Sequence, residues 1–96
     1  MIDGLSSRTL AEISRLELSR NHLGPGEVGE ALRSWKNHMR LPSGVRLHRE
    51  EHGHVHWFCC GDPREARALL DVVTGAMSRR GARELRRVLA ALDRDR

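Results

Sequence analysis

Aromatic residues are nearly missing from this sequence: Trp35, Trp57 and Phe58 are the only three, and there is no tyrosine. A core of stacked rings is therefore excluded, and the interior must be assembled from Leu, Val and Ala contributed by helices. Cysteine is also scarce. Cys59 and Cys60 are neighbours, so on an extended strand they point to opposite faces and cannot bridge, which excludes a disulfide framework. Neither a Cys-x-x-Cys pair nor a helix start lies where it would activate a thiol, so reduced, inert cysteines are expected. No apolar run approaches the ~20 residues of a membrane span, and the opening residues lack a basic segment followed by an apolar one. A soluble, cytoplasmic protein with no membrane partner is the expectation.

Lysine is scarce too, with Lys36 alone. Sixteen of the seventeen basic residues are arginine, and the chain carries a formal net charge of +4. Positive charge points toward anionic partners, but an arginine skew also follows from a GC-rich bacterial genome, which weakens the charge as a functional signal. At 96 residues the chain forms one domain with a modest core, for which a partner or second copy would add stability.

Helical periodicity is clearest in the N-terminal and C-terminal parts. Residues 6–20 predict a first helix on a narrow Leu10, Ile13, Leu16 stripe, with Leu18 off it. Gly24-Pro25-Gly26 breaks the chain, and Val28, Ala31, Leu32, Trp35 and Met39 then recur on one face of a second helix, ended by Pro42 and Gly44. Asp62-Pro63-Arg64-Glu65 reads as a capping box with proline at the first helical position. It opens a third helix with Ala66, Leu69, Leu70, Val73, Ala76 and Met77 on its inner face. Gly81 is expected to cap this helix before a fourth stripe of Leu85, Val88, Leu89 and Leu92. The two stripes nearly keep phase, so a single helix of about thirty residues is the alternative to two packed helices.

Between the two helical parts, residues 45–50 and 54–60 alternate in a strand-like way around His52-Gly53, which can supply the positive φ of a tight turn. A β-hairpin is the expectation, giving an α+β domain ordered α, α, β, β, α, α. In that register Glu51 faces His54, Arg49 faces His56, Leu47 faces Phe58 and Val45 faces Cys60. His48 and Trp57 oppose each other on the other face, beside Arg46 and Cys59.

Four of the six histidines fall within residues 48–56, which invites a metal reading. On a hairpin, His54 and His56 share a face ~6.6 Å apart with Glu51 opposite, but His48 and Cys59 face away and Cys60 lies ~13 Å further along. No four-ligand set converges, so His54, His56 and Glu51 are weak candidates and no metal or other cofactor is expected. Catalysis has little support. There is no Gly-x-Ser-x-Gly turn, Glu50 and Glu51 project to opposite strand faces, and Gly24-Pro25-Gly26 lacks the strand and the Lys-Ser/Thr of a phosphate loop. A small-molecule substrate is likewise not evident.

Two binding readings remain. In the first, the protein is a non-enzymatic interaction module that self-associates or meets a protein partner through the hairpin, with Trp57, Val55, Cys59 and His48 at the contact. In the second, it binds nucleic acid. Arg79, Arg80, Arg83, Arg86 and Arg87 stand against the single Glu84, and four of them share a face if helix runs through Gly81. The run Glu27-Val28-Gly29-Glu30-Ala31-Leu32-Arg33, within a helix, turn, helix, hairpin order, resembles the recognition helix of bacterial winged-helix regulators. That resemblance covers about half the chain and implies a DNA-binding domain with the hairpin as its wing. It departs from the pattern in placing Glu27 and Glu30 where those regulators present groups to phosphates and bases.

Overall fold

The computed structural model describes residues 4–19, 23–55, 57 and 61–94. Among them are five α-helices: α1 (Ser7–Ser19), α2 (Glu27–Met39), α3 (Ser43–His52), α4 (Pro63–Ala76) and α5 (Arg79–Asp93). No described residue is in a strand, so the expected α+β architecture is replaced by an all-helical one.

The central pair is α2 against α4, with α5 packed on both and α1 laid along α5. Val28, Ala31, Leu32, Trp35 and Met39 of α2 meet Leu70 and Val73 of α4 and Leu85 and Leu89 of α5, while α1 contributes Ile13. These are the residues the helical spacing singles out. Val72 and Leu18, beside or off the stripes, are exposed.

The hairpin fails for identifiable reasons. The face that α3 turns inward is polar: Arg46 is its one buried residue, while Val45 and Leu47 are exposed. The apolar residues of this helix therefore point outward, and hydrophobic periodicity does not mark its inward face. Gly53 does adopt a positive φ of 80°, but at the end of α3, where its N–H donates to the Arg49 carbonyl at 2.7 Å. A helix terminus and a hairpin turn make the same demand on glycine. Arg46 explains the inverted burial, since its guanidinium Nη1 donates to the Met39 carbonyl at 3.0 Å and so satisfies the C-terminal end of α2.

The junction between α4 and α5 also departs from expectation. The break lies at Met77 and Ser78, and Ser78 is the N-cap of α5, its hydroxyl accepting the Gly81 N–H at 3.2 Å. Gly81 is thus inside α5 rather than at the end of α4. The Asp62 cap is present, accepting the Arg64 N–H at 2.8 Å. Its carboxylate is also held by the Arg64 guanidinium, Nη2 to Oδ2 at 2.8 Å, and among the described residues no reciprocal bond from Glu65 completes the box.

Helix α1 is fastened to the body by carboxylates that cap helix ends across the fold. Glu12 of α1 accepts the Ser78 N–H at 3.1 Å and its hydroxyl at 3.0 Å, at the start of α5. In return, Glu84 of α5 accepts the Ser6 N–H at 2.8 Å and the Thr9 hydroxyl at 2.8 Å, at the start of α1. This pairing makes the two helices antiparallel. Buried Glu17 accepts the Val28 N–H at 3.0 Å and caps α2 in the same manner. Each carboxylate meets unpaired amides at the positive end of a helix dipole.

Two outcomes follow from this clasp. A Cβ on Gly81 would fall onto Glu12 Oε1 and within 2.9 Å of Met77 Cε. Glycine to alanine inside a helix ordinarily gains up to ~1 kcal/mol, but here it displaces Glu12 from Ser78. Gly81→Ala is expected to lose about 1 kcal/mol instead, the size of a lost N-cap, and a urea titration reads the sign. The second outcome concerns acid. Ser6 and Thr9 hold the Glu84 carboxyl below its ordinary range, chiefly through the Ser6 N–H, and Arg64 does the same for Asp62. A carboxylate with a depressed folded-state pKa contributes stability above its unfolded pKa, and that contribution disappears as pH falls through the folded one. Denaturation midpoints should therefore fall between roughly pH 5 and pH 3, and Glu84→Gln, already lacking the anion, should fall less steeply over that window.

Candidate functional site

Helix α5 is continuous from Arg79 to Asp93, which meets the condition under which its arginines share a face. Gly81, Ala82, Leu85 and Leu89 turn inward, leaving Arg79, Arg80, Arg83, Arg86 and Arg87 all exposed. Arg79, Arg83, Arg86, Arg87 and Ala90 line one open surface groove of about 380 Å³. Their spacing of i, i+4, i+7 and i+8 places them in one stripe, ~12 Å from first to last at 1.5 Å per residue.

The stripe is not neutralised. Among the described residues none of the five arginines has an ion-pair partner. The one acid in the run, Glu84, is turned to Ser6 and Thr9, with Arg80 as its nearby cation. Residues 79–87 hold five of the seventeen basic residues and one of the thirteen acidic ones, leaving twelve of each elsewhere. The whole +4 of the chain is thus the net charge of this one run. Next to the stripe, Arg86 and Ala90 also border a second groove that contains Asp71 and Asp93. Both acids are already engaged there. Arg67 pairs with Asp71 and lies 3.1 Å from Asp93 Oδ2, and the Trp35 indole N–H donates to Asp93 Oδ1 at 2.9 Å.

The residues expected at a hairpin contact are redistributed. Trp57 is half-buried, with the Arg64 guanidinium 4.7 Å from its ring centroid and His38 edge-on at 6.1 Å. Part of its cover is supplied within the chain, because α4 brings Arg64 across the ring. Val55 is exposed, and so is His48, whose ring lies 4.7 Å from that of His52 one helical turn away. Cys59, Cys60, His56 and Phe58 lie outside the described residues.

The metal candidates do not assemble in the way the hairpin register supposes. Glu51 lies on α3 with Oε2 3.8 Å from His52 Nε2, and is not placed opposite His54 by a ladder. Among the described residues no three His, Cys, Asp or Glu side chains form a group able to hold a metal ion. The wing implied by the winged-helix resemblance is also replaced, since its first strand is α3.

Sequence reasoning missed one further cluster. His38 is buried on α2, its Nε2 3.1 Å from Glu50 Oε2, and lies between Trp35 and Trp57. With Arg46 to Met39 and Arg64 Nη1 to the Glu50 carbonyl at 3.2 Å, it attaches α3 to the body through polar groups. His38 occupies the position one turn after Ser34 and beside Trp35 and Met39, a helical neighbourhood that a scan for apolar residues passes over. No protein-family model matches the chain, and no curated protein or solved structure is significantly similar to it. No helix among the described residues is long and apolar enough to cross a membrane.

Proposed function

We propose that this is a non-enzymatic binding module that engages nucleic acid through the arginine face of α5. The observation that carries the reading is the exposed stripe of Arg79, Arg83, Arg86 and Arg87, which has no ion-pair partner among the described residues and is left positive because Glu84 is held by α1. Arginine is suited to this task, since its planar fork donates in parallel to phosphate oxygens and its charge persists at every physiological pH. Arg80 lies toward the α1 side and adds to the field.

The test is the salt dependence of binding to a fluorescein-labelled DNA duplex, read by anisotropy. Each phosphate contact releases condensed counterions, so four contacts give a log–log slope of about −3.6 and a loss of roughly 10²-fold between 50 and 200 mM salt. Replacing Arg83 and Arg87 by glutamine should reduce the slope by about 1.8. An unchanged slope, or no binding at low salt, would remove the reading.

A second reading, a protein partner or second copy seated on α3, is favoured by the inverted burial of that helix, which hides Arg46 and exposes Val45 and Leu47, with Val55 exposed just beyond. Val45 and Leu47, two residues apart, lie on different sides of α3, so such a contact would use Leu47, the more exposed of the two. Light scattering at rising concentration should then report a dimer that Leu47→Asp dissociates; a monomer at all concentrations would exclude self-association.

A further inference from the structure

Resting on the nucleic-acid reading, we infer that the α5 face takes double-stranded nucleic acid by its phosphate backbone, without stacking on bases and without preference for sequence. Three observations favour the duplex over a single strand. First, the groove is lined by four arginines and one alanine, so among the described residues it has no aromatic ring on its surface. Sequence-tolerant binding of single strands depends on such rings, each stacked base contributing appreciably. Trp35 is buried in the core and hydrogen-bonded to Asp93. Trp57 borders a different groove, with Ser34, Asn37 and Arg49, and carries Arg64 over its ring.

Second, the stripe contains no Asn or Gln, the side chains that pair with adenine in the major groove. What it offers is a row of guanidinium groups, which contact phosphates on any sequence; their one base-specific pairing, with guanine, would appear as a preference for the pure G·C duplex. Third, the positive surface is confined to the width of one helix face. On one side Glu84 is fixed toward α1, and on the other Asp71 and Asp93 are fixed by Arg67. A narrow row ~12 Å long, spaced by one continuous helix, matches the regular, dense phosphate array of a duplex better than a flexible strand that must first be ordered. Ala90 at the end of the groove leaves room for the backbone to approach closely.

Counterion release sets the expected difference. Four contacts release about 0.9 counterions each from duplex and about 0.7 from single strands, so at 0.1 M salt the duplex should bind roughly sixfold more tightly, relative to equal binding at 1 M. The experiment compares labelled duplex and single-stranded DNA of equal length, and duplexes of pure A·T and pure G·C composition, with the full chain and with Arg83→Gln/Arg87→Gln. The expected result is a several-fold duplex preference that the double variant shrinks, with the two duplex compositions agreeing within about twofold. Single strands bound as tightly as duplex, or a tenfold dependence on composition, would overturn this inference while leaving nucleic-acid binding in place. No binding to any of these probes at low salt would overturn both.

Discussion

Truncating Leu85 to alanine is expected to destabilise the protein by about 3 to 5 kcal/mol, the range for large-to-small changes at fully enclosed sites. Leu85 has no exposed surface and lies where α5 meets the α2 and α4 pair. Neighbouring helices cannot all move inward to fill the space, so the cavity adds to the lost transfer energy. For a domain of this size the change corresponds to a fall in Tm of at least ~12 °C, and against a total stability of ~5 to 15 kcal/mol it consumes a large fraction. Val72→Ala, at an exposed position on α4, should stay within ~0.5 kcal/mol. Urea denaturation of the two variants measures the contrast, and equal effects would mean that α5 is not seated as described.

The second large effect is expected at Trp35. Its ring is buried in the α2 stripe, and its N–H donates to Asp93 near the end of α5, which ties α2 to α5 by both packing and a hydrogen bond. Trp35→Ala should lose about 3 to 5 kcal/mol. Trp35→Phe separates the two contributions, because it keeps a ring while removing the donor. Asp93 retains Arg67 as a partner, so the carboxylate is not stranded and the phenylalanine variant should lose only about 1 to 2 kcal/mol. A phenylalanine variant as unstable as the alanine one would show that the hydrogen bond, not the packing, holds the helices together.

The sequence was informative where burial is apolar. The α2 stripe from Val28 to Met39 and the Leu85 and Leu89 pair of α5 both fall inside the core at the positions their spacing indicates. Asp62 caps α4 as its side-chain chemistry suggests. Periodicity failed at α3, because the inward residue there is Arg46 and the contacts that hold the helix are polar. The three-residue alternation of Val45, Arg46 and Leu47 fits a strand as well as a helix, and Gly53 serves either ending. Gly81 misled for a similar reason: glycine marks a helix end, but also a place where another side chain approaches closely, here Glu12. The arginine stripe was legible as a pattern. That it stays unneutralised was not, since the partners that draw Glu84 away, Ser6 and Thr9, are 78 and 75 residues distant in sequence.

Backbone amide shifts on titrating a short DNA duplex into the isotope-labelled protein test the arginine-face interface residue by residue. Perturbations should concentrate on α5 between Arg79 and Ala90, grow as salt is lowered, and leave Val45, Leu47 and Val55 unmoved. Shifts gathered on α3, or none at all at low salt, would contradict an arginine-face interface.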